Sequence, residues 1–196
     1  MLEKLRKAMK TADIDMLLIP SADPHGSEYP EEYFKARKHF SGFTGSAGTL
    51  LIWQGGAGLW TDGRYFLQAE RQLEGSGIDL FKMREPGVPT VDEFIAENIR
   101  GGVLGADLRT ISASEGMELE KGGAILKDCR SLIDGCWEGR PELSREPAYV
   151  LPMELAGVSS SDKLGAVRAE MARCDANACI FTDLADIAWL CNIRGN

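Results

Sequence analysis

Apolar residues recur at Leu2, Leu5, Met9 and Ala12, a spacing of three and four that predicts one buried face of a helix. Residues 15–20, DMLLIP, predict a buried strand, and the polar, turn-rich stretch 21–33 predicts a loop. EEYFKARKHF (31–40) predicts a short helix. SGFTGSAG (41–48) is a glycine-punctuated turn that leads into the strand TLLIW (49–53). Gly55, Gly56 and Gly58 turn the chain into GLWTD (58–62), which predicts a hairpin. GRYFLQAERQL (63–73) predicts a helix with Tyr65, Phe66, Ala69 and Leu73 on one face, and IDLFKM (78–83) a strand. TVDEFIAENI (90–99) opens on a capping-box pair, Thr90 and Glu93. A strand at 103–107, a helix at 112–121, a strand at 124–128 and a helical turn at 131–137 come next. Strands alternating with helices predict an α/β layer fold: a mixed sheet flanked by helices, with one hairpin in an otherwise crossover-connected sheet.

The periodicity then stops. GRPELSREPAYVLPMELAG (139–157) holds three prolines and mixed charge, and reads as a linker or strap. After it the pattern begins again. Residues 167–183, VRAEMARCDANACIFTD, align without a gap on residues 5–21, LRKAMKTADIDMLLIPS. Arg168 falls on Arg6, Met171 on Met9, Asp175 on Asp13 and Leu164 on Leu2, while 178–181 falls on the strand positions 16–19. Serines 159–161 offer an N-cap for the second helix. With a shorter intervening loop, NIRGN (192–196) falls on GFTGS (42–46). The expected organisation is a first domain over 1–140, a linker over 141–158, and the beginning of a second, similar domain over 159–196. The last ten residues, IAWLCNIRGN, are apolar with a Gly-Asn turn signal, where domains usually end on a loose polar tail. They predict that the chain is a fragment.

Net charge is −8, from 22 basic and 30 acidic residues. That argues against a nucleic-acid partner, which needs a basic face, and against an anionic membrane surface. No apolar run reaches the ~20 residues of a membrane span. The N-terminus is a charged amphipathic pattern and not a secretory leader, which predicts a cytoplasmic protein. Five cysteines in no CxxC spacing predict buried free thiols. Two histidines, His25 and His39, lie in a loop and at a helix end, and read as surface or satisfied groups rather than a ligand pair. No HExxH, GxSxG or GxxxxGK[ST] pattern occurs, which removes a small hydrolase or nucleotide-binding domain from consideration. Gly42, Gly45 and Gly48 precede a strand, whereas a phosphate loop comes after one, so tight-turn geometry accounts for them. Glu28, Glu31 and Glu32 read as surface charge, and Trp53 and Trp60 as cross-strand packing.

SGFTGSAG and WTDGRYFLQA, within a continuous match over roughly residues 17–83, resemble the N-terminal domain of the Xaa-Pro aminopeptidases (aminopeptidase P) in the creatinase/prolidase superfamily of pita-bread metallopeptidases. DIAWLCNIRG (186–195) resembles the corresponding segment of the family's second non-catalytic domain. The resemblance implies a longer, three-domain parent whose C-terminal domain holds two divalent metal ions, usually manganese. In that family a metal-bridging water attacks the bond before proline in peptides. It implies no catalytic residue and no metal ligand in this chain, which by itself is expected to be inactive. It implies that this part supplies homodimer contacts and a wall over the active site that admits short proline-containing peptides. Arg64, after a glycine at the mouth of a helix, is the candidate substrate-contacting residue, since a guanidinium there could pair with a peptide carboxylate. Local pairing with Asp62 or Glu70 is the competing role, and Asp62 is expected to cap the helix. The alternative for the chain is a stand-alone peptide- or protein-binding module on the same fold, without peptidase activity.

Overall fold

The computed structural model describes residues 1–195, so Asn196 of the expected terminal turn lies outside the described residues. The chain divides into two compact units. The first comprises residues 1–24 and 28–142, and the second residues 25–27 and the chain from Leu143 onward.

The first unit runs α1 (Leu2–Thr11), β1 (Met16–Pro20), α2 (Ala36–Ser41), β2 (Thr49–Trp53), β3 (Gly56–Thr61), α3 (Phe66–Leu73), β4 (Asp79–Lys82), α4 (Val91–Ile99), β5 (Val103–Ala106), α5 (Ala113–Lys121), β6 (Ile125–Asp128) and α6 (Arg130–Cys136). The six strands form one sheet in the order β4-β3-β2-β1-β5-β6. β1 pairs antiparallel with β2 and parallel with β5; β2–β3 is the antiparallel hairpin; β3–β4 and β5–β6 are parallel. β1 is apolar throughout because helices cover both faces. Its Leu17 and Ile19 join one core with Leu5 and Met9 of α1, Phe40 of α2, Ala69 of α3 and Ile133 of α6. Its Met16 and Leu18 join the other with Trp60, Leu104, Ile95 and Ile99 of α4, and Leu119 of α5. Period-two alternation sorts one strand between two cores.

Local signals set the ends of these elements. The Thr90–Glu93 box forms, with Thr90 N donating to Glu93 Oε2 at 2.8 Å and Glu93 N to Thr90 Oγ1 at 3.2 Å. α5 opens on a second box, Ser112 and Glu115. The expected helix over 31–40 is split: residues Glu32–Phe34 form a 3-10 turn, and α2 starts at Ala36. The break lets Tyr33 face Arg140, whose guanidinium lies 3.7 Å from the ring centroid. Arg140 also donates to Tyr33 O through Nε (2.9 Å) and Nη2 (2.7 Å), and pairs with Asp134. This clasp fastens the end of the first unit. Trp60 stacks on Phe81 of the neighbouring strand at 4.0 Å and donates to Pro89 O; Trp53 packs on Phe94 of α4. Both tryptophans thus pack across strands: Trp60 on Phe81, and Trp53 over Gly56, its partner in the hairpin register, where a Cβ would lie 2.7 Å from the Trp53 ring.

The second unit contains β7 (Tyr149–Val150), α7 (Met153–Ala156), α8 (Ser160–Arg173), α9 (Leu184–Cys191) and β8 (Ile193–Arg194). β7 and α7 fall inside the segment 141–158, and β7 pairs antiparallel with β8. Ser159 caps α8, its side chain accepting from Asp162 N at 3.1 Å. Lys163 is buried and ties α8 to the end of α9, donating to Trp189 O (2.8 Å) and Asn192 Oδ1 (2.6 Å).

The two units repeat a helix terminus. After α1, Asp13 takes φ 51° and Ile14 N returns to Met9 O at 2.9 Å; after α8, Asp175 takes φ 52° and Ala176 N returns to Met171 O at 2.8 Å. Both are Schellman closures with aspartate in the left-handed position. Likewise α2 ends on left-handed Gly42 and α9 on left-handed Asn192, the residue aligned with it. The strand expected over 178–181 does not form; the segment is irregular and Ile180 is 85% exposed. A strand needs a neighbour for its N–H and C=O groups, and in this unit the one pairing among the described residues is β7 with β8. The thiols show the same division. All five are free; Cys129 and Cys136 are buried, whereas Cys174, Cys179 and Cys191 are exposed, contrary to expectation, because the apolar run around Cys179 has no layer over it.

Candidate functional site

The motif-bearing segments of the first unit converge at one end of the sheet. Gly42 turns the chain at φ 73°. Gly45 is pressed against aromatic rings: a Cβ there would lie 2.3 Å from the Phe43 ring and 2.8 Å from that of Tyr65. No larger residue fits without moving both. Arg37 holds this turn from beneath. It is buried, and donates to Phe43 O, Gly45 O and Ser21 Oγ. Burial lowers its affinity for its proton to a pKa of about 10. It remains protonated at neutral pH and lines a hollow of about 150 Å³ with Ser21, Tyr29, Lys35, Lys38 and Ser46. Glu32 takes up both lysines and is held below the usual carboxylate range by the Lys35 hydrogen bond and the two lysine charges.

The turn is laced to α3 by polar side chains. Gln72 Oε1 accepts from Thr44 N at 2.9 Å, Gln68 Nε2 donates to Thr44 Oγ1 at 2.8 Å, and Ser46 and Tyr65 share a hydroxyl bond at 2.7 Å. Thr61, fully buried at the end of β3, donates to Ala47 O at 2.7 Å. These bonds place the corner 62–65 against the glycine turn.

Arg64 stands on that corner, its side chain 67% exposed. Nε and Nη2 donate to the two oxygens of Asp62 at 2.9 and 2.7 Å, a bidentate pair, and Arg64 N adds a bond to Oδ1 at 3.0 Å. The Arg64 hydrogen bond holds the Asp62 carboxyl below its ordinary range, and the same bond raises Arg64. Asp62 therefore does not cap α3. The helix starts later, at Phe66 after Tyr65, and its N-cap makes no side-chain bond. Asp62 closes a two-residue turn instead, because its side chain reaches the Arg64 amide first. Glu70 pairs with Lys82, not with Arg64. Asp62, Gly63, Arg64, Met83 and Arg84 line an open hollow of about 500 Å³.

The histidines are not brought together as ligands. His39 stacks on Trp137 at 4.4 Å, and burial holds its pKa below the usual value. His25 belongs to the second unit. Among the described residues no group of three His, Cys, Asp or Glu side chains could hold a metal ion. No helix among them is long and apolar enough to cross a membrane. Sequence reasoning passed over Arg37 and Lys163, two buried cations; nothing in their local pattern separates them from surface charges.

Family models for the creatinase/prolidase N-terminal domain match residues 1–136 and 139–196. The chain belongs to the creatinase/prolidase N-terminal domain family. It is 40% identical over 201 residues to a probable Xaa-Pro aminopeptidase P of Coccidioides posadasii, covering 99% of this chain and 33% of that protein. It is 39% identical over 196 residues to aminopeptidase P1 of Lotus japonicus, covering 96% of this chain and 29% of that protein. Its fold matches the crystal structure of an X-prolyl aminopeptidase from Caenorhabditis elegans, described as a cytosolic enzyme with a di-nuclear active site. The TM-score is 0.84 at 33% identity, over 98% of this chain and 34% of that one. The chain thus spans about a third of the length of the relatives it matches.

Proposed function

We propose that this chain is the non-catalytic N-terminal part of a metal-dependent Xaa-Pro aminopeptidase, a hydrolase that removes the residue preceding proline from the N-terminus of peptides. In this reading residues 1–140 are a first creatinase-like domain, 141–158 a linker, and 159–196 the beginning of a second domain of the same kind. The chemistry belongs to a C-terminal domain with two divalent metal ions, manganese being the expected metal. These 196 residues provide homodimer contacts and one wall of the substrate entrance in a cytoplasmic enzyme, and Arg64 reaches toward the bound peptide.

One observation carries the reading: similarity to Xaa-Pro aminopeptidases covers 99% of the chain, both units included, yet about a third of the relative. The repeated helix closure at Asp13 and Asp175 supports the assignment of a second domain of the same family. The test is the purified 196-residue chain incubated with manganese and an Xaa-Pro peptide. No release of the N-terminal residue is expected, and turnover would overturn the division of labour. Sedimentation of the same sample is expected to give a dimer; a monomer at all concentrations would remove the dimer role.

A further inference from the structure

The hollow beside Arg64 holds a second arginine, so that two guanidinium groups and one carboxylate line it. Asp62 is the carboxylate lining it, against the guanidinium groups of Arg64 and Arg84. Arg64 already spends Nε and Nη2 on Asp62. Arg84 is different: it is exposed, and among the described residues it forms no ion pair. It lies just past β4, anchored there by Met83 N donating to Thr61 O at 2.9 Å, so it projects from the strand next to the one that leads into Asp62. Its backbone sits at φ 70°, the left-handed region that a long side chain seldom adopts. In a chain of net charge −8, the side chains that line this hollow are two cations to one anion, with the Glu28 charge acting on Arg64 from outside the lining.

We propose that the hollow bounded by Asp62, Gly63, Arg64, Met83 and Arg84 binds the C-terminal carboxylate of a short peptide, with Arg84 as the fork that grips it and the Arg64–Asp62 pair as its fixed wall. A planar guanidinium offers two parallel N–H donors to a carboxylate, and Arg84 is the one in this hollow with that fork unspent. The free Nη1 of Arg64 adds a further donor. The Arg84 charge also helps to hold the Asp62 carboxyl low, which fits two cations sharing one hollow. This proposal rests on the reading that Arg64 faces the peptide, and moves the direct carboxylate contact to its neighbour.

The experiment is a titration of the 196-residue chain, isotope-labelled for arginine side-chain NMR, with Ala-Pro-Ala as free acid, with its C-terminal amide, and with acetate. Expected: the Arg84 Nε–H signal and the backbone amides of residues 83–85 shift with the acid and not with the amide, and acetate binds far more weakly. Arg84→Gly removes strain at φ 70° and so keeps the fold; it is expected to weaken the acid about tenfold or more. Affinity in Arg84→Gly within about twofold of the parent, with binding lost in Arg64→Ala, overturns the role of Arg84 and leaves that of Arg64 standing. No shift at either arginine overturns both. Equal shifts with acid and amide overturn carboxylate recognition, and acetate matching the tripeptide overturns the assignment to a peptide.

Discussion

α1 and α8 close alike, on aspartates at φ 51° and 52°, yet the segments beyond those closures differ. After α1 the chain enters β1, held between β2 and β5 with Leu17 completely buried. After α8 the aligned residues 178–181 are irregular, the first three exposed and Phe181 half-buried. A helix and its closure are satisfied by bonds within about six residues, so they form in either setting. A strand places its backbone groups outward and takes its identity from its neighbours. The same contrast separates the helix faces: Leu5 and Met9 lie under a sheet, while Val167 and Met171, aligned with them, remain partly open.

The comparison breaks most sharply in amide exchange. Residues 16–19 should exchange only through unfolding of the first unit, and 178–181 nearly freely, a difference of about a thousandfold or more. Protection at 178–181 equal to that of β1 would mean that the second strand exists in solution. Side-chain truncation comes next. Met9→Ala should cost about 2–5 kcal/mol, and Met171→Ala under about 1 kcal/mol, each read from amides of its own unit in a denaturant series. Equal losses would show a packed layer over α8.

The helix closures predict likeness where the strands predict difference. Asp13→Val and Asp175→Val should each cost their unit about 1–2 kcal/mol, since a β-branched residue is poorly suited to the left-handed region. An effect at one site alone would end the equivalence of the two termini.

The smallest effect is a pH dependence present in the first unit. Burial against Trp137 holds the His39 pKa below its unfolded value, so the unfolded chain binds the proton more readily. Stability from this group is therefore complete above the unfolded pKa, near 6.5, and declines as pH falls through it toward the folded value. His39→Gln should flatten that part of the thermal-midpoint profile between about pH 7 and pH 5. An unchanged slope would place the titration elsewhere.

Much of the first unit was legible because its signals are local. The stripe Leu2, Leu5, Met9, the Thr90–Glu93 box and the glycine-turned hairpin all act over a few residues, and all formed. The competing role of Arg64 was legible too, since Asp62 is two residues away. The cap expected of Asp62 was not, because the same carboxylate could serve the Arg64 amide and did so first.

From sequence alone came the α/β alternation, the repeat of helix, aspartate and apolar run, and the family motifs around SGFTGSAG and WTDGRYFLQA. These depend on residue spacing, which is one-dimensional. Tertiary structure alone decided that Arg37 is the buried post of the glycine turn, that Arg84 meets Arg64 across one hollow, and that 178–181 stays open while 16–19 is a central strand. The reason is common to all three: burial, strand pairing and the sharing of a carboxylate depend on residues far apart in the chain, and no local pattern encodes which of them will meet.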